Sequence, residues 1–156
     1  MLCSDIIYRN GNKQLKKFIF AGQTAQAMTL YEKAFGARVK ERLTYSDMNP
    51  ADAITEVKDE HKDFIGYSEL VIGGQVIPLY DDSNAAENST AVSGNVCLTD
   101  LLVHFDSDDE LKEAYDILSE GATIIAPLYT QTYCSLTCAL IDKFGGRWQL
   151  MSGNKG

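Results

Sequence analysis

The sequence predicts an α+β fold made of two tandem β-α-β-β-β modules, whose sheets curve around a cleft. A first observation is that strand-like and helix-like segments follow each other in the same order twice along the chain. A second is that a Gly-Ala pair follows each predicted helix, at Gly36-Ala37 and at Gly121-Ala122. A third is a Gly-Gly turn before the last strand of each half. A long repeat that occurs only twice indicates a duplicated module rather than a repeat array.

The first module is predicted at about residues 13–81. Its helix begins at Thr24, a residue type that caps helices, and ends at Gly36, which suits the left-handed conformation after a helix. The Gly73-Gly74 turn predicts a hairpin between the last two strands. The predicted elements are strands at 15–20, 38–45, 64–72 and 75–80, a long connection at 46–62, and a short extra strand at 5–8.

The second module is predicted at about residues 96–152, after a linker at 82–95 that is rich in Asn, Ser, Asp and Ala. Ser107 or Asp108 caps its helix, which continues to Ser119 and has the acidic first turn that the helix dipole favours. Gly145-Gly146 turns the chain into the last strand. The strands are expected at 96–105, 122–128, 133–142 and 147–151, all within one domain that covers residues 1–156.

Composition excludes several classes of protein. The 156 residues are 45% hydrophobic and 23% charged, the balance of a globular domain rather than of a disordered chain. The formal net charge of −8 argues against a nucleic-acid partner. No segment reaches the ~20 apolar residues that span a bilayer. The amino-terminal residues lack the pattern of a signal peptide, so we expect no membrane partner and a cytoplasmic protein.

The four cysteines point to neither a disulfide nor a zinc site. Cys3, Cys97, Cys134 and Cys138 include no CxxC pair and no histidine at zinc-binding spacing. Cysteines 134 and 138 on one strand would lie roughly 13 Å apart, too far for a disulfide. We interpret all four as small buried apolar residues.

Four motifs resemble one family of proteins. The run from Asp142 to Leu150, DKFGGRWQL, is similar to the D-x-F-G-x-x-W-x-L ending of the vicinal oxygen chelate superfamily, which contains the glyoxalase, bleomycin-resistance and extradiol-dioxygenase folds. Its W-Q-L form resembles the PhnB-like branch, often labelled demethylubiquinone methyltransferase-like. Residues 30–37, LYEKAFGA, residues 67–74, YSELVIGG, and residues 118–122, LSEGA, resemble further motifs of that branch. The likeness runs from about residue 14 to 152.

The resemblance implies a cleft that, in catalytic relatives, holds one divalent metal on ligands from the first and last strands of each module. The corresponding positions here are occupied mostly by residues that do not coordinate metals: Lys16, Lys17 or Phe18; Val76 to Pro78; and Leu101 or Leu102. Gln149 stands where many relatives have Glu, and a neutral amide is a weak anchor. We therefore expect no metal and no other cofactor. The chain also lacks a glycine-rich loop that would seat a nucleotide-like methyl donor.

Two residues are candidates for catalysis, Glu69 and His104. Glu69 shares a strand face with Tyr67, which stands where relatives have His; it is either a cleft carboxylate or the partner of an ion pair with Arg147 or Arg42. His104 is either a core or cleft-wall histidine or a general base in the cleft. His61 lies in an acidic loop and is expected to be solvated.

The function predicted from this reading is the binding of a small apolar or aromatic molecule in the cleft, without a metal. The alternative is a lyase, isomerase or dioxygenase that acts on a vicinally oxygenated small molecule. The resemblance also implies a homodimer, and the apolar segment Leu2 to Tyr8 is the sequence feature that suggests it. Tyr129 is a further aromatic candidate for the pocket. The predicted ligand-binding residues are Phe18, Phe20, Tyr67, Glu69, His104, Tyr133, Trp148 and Gln149.

Overall fold

Two β-sheets, each associated with one α-helix, form the described parts of the chain. The structure is a computed structural model and describes residues 2–7, 14–49, 57–82 and 101–154. The described residues divide into two compact units, the first within residues 1–32 and 36–96 and the second within residues 33–35 and 97–156. No helix among the described residues is long and apolar enough to cross a membrane.

The first sheet has five strands in the order β1-β2-β5-β4-β3. Strands β2 and β5 are parallel, and the other neighbours are antiparallel. The amino-terminal strand β1 adds to the edge of β2, beyond the four strands predicted for the module. The elements are β1 (Leu2–Ile7), β2 (Gln14–Phe20), α1 (Thr24–Phe35), β3 (Arg38–Thr44), β4 (Ile65–Ile72) and β5 (Gln75–Asp81).

The second sheet has four strands in the order β6-β9-β8-β7. Its parallel pair is β6 and β9, the first and last strands of the module, as β2 and β5 are in the first. Both modules thus have the same strand order, which confirms the α+β fold with a duplicated β-α-β-β-β unit. The elements are β6 (Leu101–Phe105), α2 (Asp108–Ser119), β7 (Thr123–Gln131), β8 (Cys134–Ile141) and β9 (Arg147–Asn154).

Strand register gives a residue-by-residue correspondence between the modules. Leu79 of β5 pairs with Ser68 of β4, and Leu150 of β9 pairs with Cys138 of β8. Ser68 Oγ donates to the Leu79 carbonyl at 2.6 Å, and the buried Cys138 takes the position of Ser68 in the second module. The two modules therefore share this buried position on the strand.

The core of each unit lies on the sheet face that meets the helix. In the first unit Phe18, Leu70 and Leu79 are buried there, and the Phe18 ring contacts Tyr31 of α1 with centroids 6.4 Å apart. In the second unit Trp148 and Leu150 are fully buried on the α2 side. Alternation along each strand places the intervening residues on the opposite face, called the far face below.

In each unit a carboxylate links the start of the helix to the last strand of the module. The role of Thr24 in this link differs from the helix cap that the sequence predicts. Thr24 is the first helical residue rather than the cap, and its N–H and hydroxyl both donate to Oδ1 of buried Asp81, at 3.0 and 2.7 Å. In the second unit the carboxylate is on the helix. Asp108 accepts hydrogen bonds from Ser135 and Ser152, which lower its pKa.

Most predicted element boundaries agree with the structure to within a few residues. Gly36 has φ of 59°, and Ser107 caps α2 by accepting a hydrogen bond from the Glu110 N–H. The described parts of the connection at 46–62 include two short 3-10 turns, at residues 45–47 and 59–61. The predicted linker at 82–95 lies outside the described residues except for residue 82. The first five residues of the strand predicted at 96–105, which include Cys97, also lie outside them.

Candidate functional site

Three polar side chains form a connected group on the far face of the first sheet. Tyr67 and Glu69 lie two residues apart on β4, and the Tyr67 hydroxyl donates to Glu69 Oε1 at 2.7 Å. Lys40 of β3 donates to, and forms an ion pair with, the other oxygen, Glu69 Oε2. Only 16% of the Glu69 side chain is exposed, whereas 58% of Lys40 is exposed. The group therefore holds a half-buried carboxylate in one orientation.

An irregularity in strand pairing brings Lys40 to this position. Val39 pairs with Leu70 and Glu41 with Glu69, so Lys40 is an extra residue between two regular pairs. Such bulges turn a side chain away from simple alternation. The ion-pair partner predicted for Glu69 was Arg42 or Arg147; the structure shows Lys40 in this role. The hydrogen bond and negative charge of Glu69 raise the pKa of Lys40.

The residues around this group on the far face are both charged and apolar. Glu41 of β3 pairs directly with Glu69, and its charge also acts on Lys40. Leu43 pairs with Tyr67 across β3 and β4, so the two share a face. Alternation places Val71 on the same face of β4, and Pro78 pairs with Glu69 across β4 and β5. Most of these side chains are half-buried. The carboxylate, ammonium and phenol thus border both an apolar surface and a second carboxylate, that of Glu41.

His104 and Gln149 lie on the far face of the second sheet, on neighbouring parallel strands. His104 pairs with Met151, and Leu102 pairs with Gln149, so the two candidates are diagonal neighbours. His104 is exposed rather than part of the core, and Gln149 is half-buried. When the two modules are matched by strand register, Thr137 and Ala139 of the second module occupy the positions of Tyr67 and Glu69 in the first.

The other predicted ligand-binding residues lie elsewhere. Phe18 and Phe20 are each 2% exposed on the helix side of the first sheet, where they pack in the core. Trp148 is fully buried, and its Nε1–H donates to Asp142 Oδ2 at 2.7 Å. Tyr133 lies in the turn after β7 and is 57% exposed. Phe18, Phe20 and Trp148 are thus part of the buried core.

His61 is buried, although its acidic surroundings predict a solvated side chain. Its ring stacks on Phe64, with centroids 4.5 Å apart and planes 20° apart, and the residue is 7% exposed. Its Nδ1 has no hydrogen-bond partner in the described structure. Asp59, Glu60 and Lys62 around it are exposed, and Glu60 Oε1 lies 3.8 Å from His61 Nε2.

Among the described residues, the far faces bring together no group of ligands of the kind that a divalent metal needs. In the first unit the far-face positions of β2 and β5 carry Ile19, Val76, Pro78 and Tyr80. In the second unit they carry two neutral donors, His104 and Gln149. Protein metal sites of this kind use three or four ligands, usually with a carboxylate or thiolate among them. Within the described residues no three His, Cys, Asp or Glu side chains come together as such a group.

The sequence profile of the Glyoxalase/Bleomycin resistance protein/Dioxygenase superfamily matches residues 14–150. This match spans most of the chain, from the start of β2 to the middle of β9, and so covers both β-α-β-β-β modules. The chain therefore belongs to this superfamily. None of the curated proteins compared matches the sequence.

Several solved structures share the fold at low sequence identity. Protein PA1353 from Pseudomonas aeruginosa is 21% identical with a TM-score of 0.70, over 87% of this chain and 93% of that one. A PhnB protein from Bacillus cereus is 20% identical with a TM-score of 0.67, over 88% and 96%. The fosfomycin resistance protein FosX from Mesorhizobium loti is 11% identical with a TM-score of 0.56, over 95% and 96%. These likenesses describe the fold of the chain, and PhnB proteins are among its structural neighbours.

Proposed function

We propose that the protein binds a small organic molecule with an apolar or aromatic body on the far faces of its sheets, and that binding requires no metal ion. The observation that supports this most directly is that the group of Tyr67, Glu69 and Lys40 lies beside the apolar side chains of Leu43 and Val71. Small-molecule sites are usually apolar, with a few placed polar groups that orient the ligand. The superfamily name, with its glyoxalases, bleomycin-resistance proteins and dioxygenases, also refers to small organic molecules.

The hydrogen bonds of this group favour a ligand with an oxygen acceptor. Both oxygens of Glu69 already accept a hydrogen bond, one from Tyr67 and one from Lys40. The ammonium of Lys40 has three N–H donors, is largely exposed, and uses one of them on Glu69. An incoming carbonyl, hydroxyl or carboxylate would bind to the remaining donors, while its apolar part would cover Leu43 and Val71.

A binding experiment on metal-free protein tests the proposal. Protein treated with EDTA would be screened by thermal shift against naphthalene and benzene compounds that carry a carbonyl, hydroxyl or carboxylate. We expect compounds that bind the wild type to lose at least about tenfold in affinity with Glu69→Gln or Lys40→Met. Glu113→Gln, on the exposed surface of α2, is the matched control and should bind as the wild type does.

Two outcomes would overturn the proposal. One is that compounds bind only after zinc, nickel or manganese is restored, which would mean that a metal completes the site. The other is that Glu69→Gln and Lys40→Met leave the affinity of every compound unchanged, which would place the site elsewhere. NMR of the mixtures also tests the alternative function, because conversion of a bound compound into a product would assign an enzyme.

A further inference from the structure

The two sheets differ in the charged residues that their strands contain. Within the described residues, strands β6 to β9 contain no Asp or Glu, and Arg147 of β9 is the one permanently charged residue in them. The strands of the first sheet contain Asp5, Glu41, Glu69 and Asp81. Because like charges repel, an anion meets less repulsion at the second sheet than over most of a chain whose net charge is −8.

Arg147 lies on the far face of the second sheet. It pairs with Ile141 of β8, and alternation along β9 places it on the same face as Gln149, while Trp148 between them is buried on the α2 side. The residue is half-buried. A guanidinium has five N–H donors in a planar fork, so it can bind both oxygens of a carboxylate while it keeps other contacts.

Two alanines leave a depression in this far face. Ala139 pairs with Gln149 on one side and with Ala126 on the other, so the three residues form a row across β9, β8 and β7. In the first sheet the positions of the two alanines are occupied by Glu69 and Glu41. Both alanines are half-buried, and their single methyl groups leave room above the sheet for a flat ring.

Larger side chains border the depression on both sides along the strands. The next row in one direction contains Thr137, with Met151 and Tyr129 as its paired neighbours. Only 1% of Thr137 is exposed, so the side chains around it cover it. The Tyr129 hydroxyl accepts a hydrogen bond from Gln131 Nε2 at 2.7 Å, which orients the phenol ring. The row in the other direction contains Ile141 and the guanidinium beside it.

We propose that this depression binds an aromatic carboxylate, with the ring against Ala126 and Ala139 and the carboxylate on Arg147. Charge complementarity selects the anion, because the strands of this sheet carry a guanidinium and no acidic residue within the described structure. The ring of Tyr129 supplies an aromatic neighbour for the ring of the ligand. Every residue of this site belongs to the second unit, so the site does not depend on the function proposed above.

The duplicated modules would thus present two different environments to a carboxylate ligand. In the first unit such a ligand would meet Glu41 and Glu69, and in the second it would meet two methyl groups at the same positions. The test therefore uses a pair of compounds that differ only in charge, 2-naphthoate and methyl 2-naphthoate.

Isothermal titration calorimetry of the whole chain, treated with EDTA, measures the binding of both compounds. Arg147→Met should lower the affinity for 2-naphthoate at least about tenfold, and should change the affinity for the uncharged ester less than about twofold. Arg42→Met is the matched control, since it removes the same charge from the exposed strand β3, and should leave both affinities unchanged. Lys40→Met should leave the 2-naphthoate affinity unchanged as well, which separates this site from the first one.

Ala126→Leu is a second variant for the case in which Arg147→Met does not fold, as verified by circular dichroism. It lies on the edge strand β7, fills the depression, and should weaken the binding of both compounds. The proposal is overturned if 2-naphthoate does not bind the wild type at up to about 1 mM, or if Arg147→Met binds it as tightly as the wild type does. An equal loss for the ester in Arg147→Met, or for 2-naphthoate in Lys40→Met, would overturn it too.

Discussion

Asp142 holds the turn at Gly145-Gly146. Its contacts explain why the DKFGGRWQL motif identifies the fold more than the function. Its Oδ1 accepts hydrogen bonds from the backbone N–H groups of Phe144 and Gly146, both at 2.8 Å. Its Oδ2 accepts from Trp148 Nε1. The carboxylate thus holds both the turn and the indole that fills the core. The spacing of Asp142, Gly145 and Trp148 follows from this local geometry.

Replacing Asp142 should therefore destabilise the protein strongly. Asp142→Asn puts an NH₂ group in place of an acceptor, either toward the Trp148 N–H or toward the two backbone N–H groups. We expect a loss of about 2–4 kcal/mol in the free energy of unfolding, measured by urea denaturation. Asp116→Asn, on the exposed face of α2, is the control and should change stability by less than about 0.5 kcal/mol. A loss of that small size at Asp142 would show that the turn does not depend on the carboxylate.

The pKa of Lys40 reports directly on its contact with Glu69. The hydrogen bond and charge of Glu69 raise this pKa above the ordinary value of 10.5. The ion pair therefore contributes its stabilisation below pH 10.5 and loses it as the pH rises through the higher folded-state pKa. Glu69→Gln should move the Lys40 pKa back toward its ordinary value in an NMR titration of the ammonium group. Glu113→Gln should leave it unchanged, and an equal pKa in wild type and Glu69→Gln would contradict the contact.

At the scale of elements, the sequence predicts what local chemistry determines. The Gly36 helix end, the Ser107 cap and the Gly73-Gly74 hairpin each depend on residues a few positions apart, and all are confirmed. Long-range packing decides the features that were not predicted. The bulge that turns Lys40 toward Glu69 depends on how β3 pairs with β4, and burial of His61 depends on the ring of Phe64.

Gly22 joins β2 to α1 in a conformation that leaves no room for a side chain. Its φ is +80°, and a Cβ there would lie 2.6 Å from Cζ of Phe64, the ring on which His61 stacks. Gly74 has nearly the same φ, +81°, but a Cβ there would meet no atom within 4 Å. Comparing a substitution at Gly22 with one at Gly74 therefore separates the cost in backbone strain from the cost of displacing the Phe64 ring.

Gly22→Ala should accordingly cost more stability than Gly74→Ala. The backbone conformation alone costs about 1 kcal/mol at each position. Displacing Phe64 should add about 1–3 kcal/mol at Gly22, as overpacking does in other cores. Urea denaturation of the two variants gives the difference. Equal losses would mean that the 57–64 segment moves away at no cost and does not pack firmly on the β2–α1 turn.

At the scale of the whole molecule, the two modules keep the same fold but differ in their far faces. Ser68 and Cys138 occupy equivalent positions on β4 and β8, and both are buried. One position further along, Glu69 corresponds to Ala139, and on the neighbouring strand Pro78 corresponds to Gln149. Packing positions were retained after duplication, while the polar groups of the two far faces diverged.

This divergence also explains why the sequence predicts the fold better than the site. Repeated glycine turns and apolar strands are present in both halves, so one half supports the interpretation of the other. Tyr67 and Glu69 could be selected because alternation places them on one face. Phe18, Phe20 and Trp148 were also candidates, since an aromatic residue on a strand looks the same from sequence whether it faces the helix or the far side. Nothing in the sequence pattern pointed to Lys40, because only the bulge in β3 brings it close to Glu69.

The central claim, that a small molecule binds at the Tyr67–Glu69–Lys40 group, is tested most directly by NMR mapping of a compound from the thermal-shift screen. The account predicts that titration shifts the resonances of Tyr67, Lys40 and Leu43 at saturation, and that Glu69→Gln raises the dissociation constant at least about tenfold. Shifts confined to residues away from the far face of the first sheet, with unchanged affinity in Glu69→Gln, would contradict it.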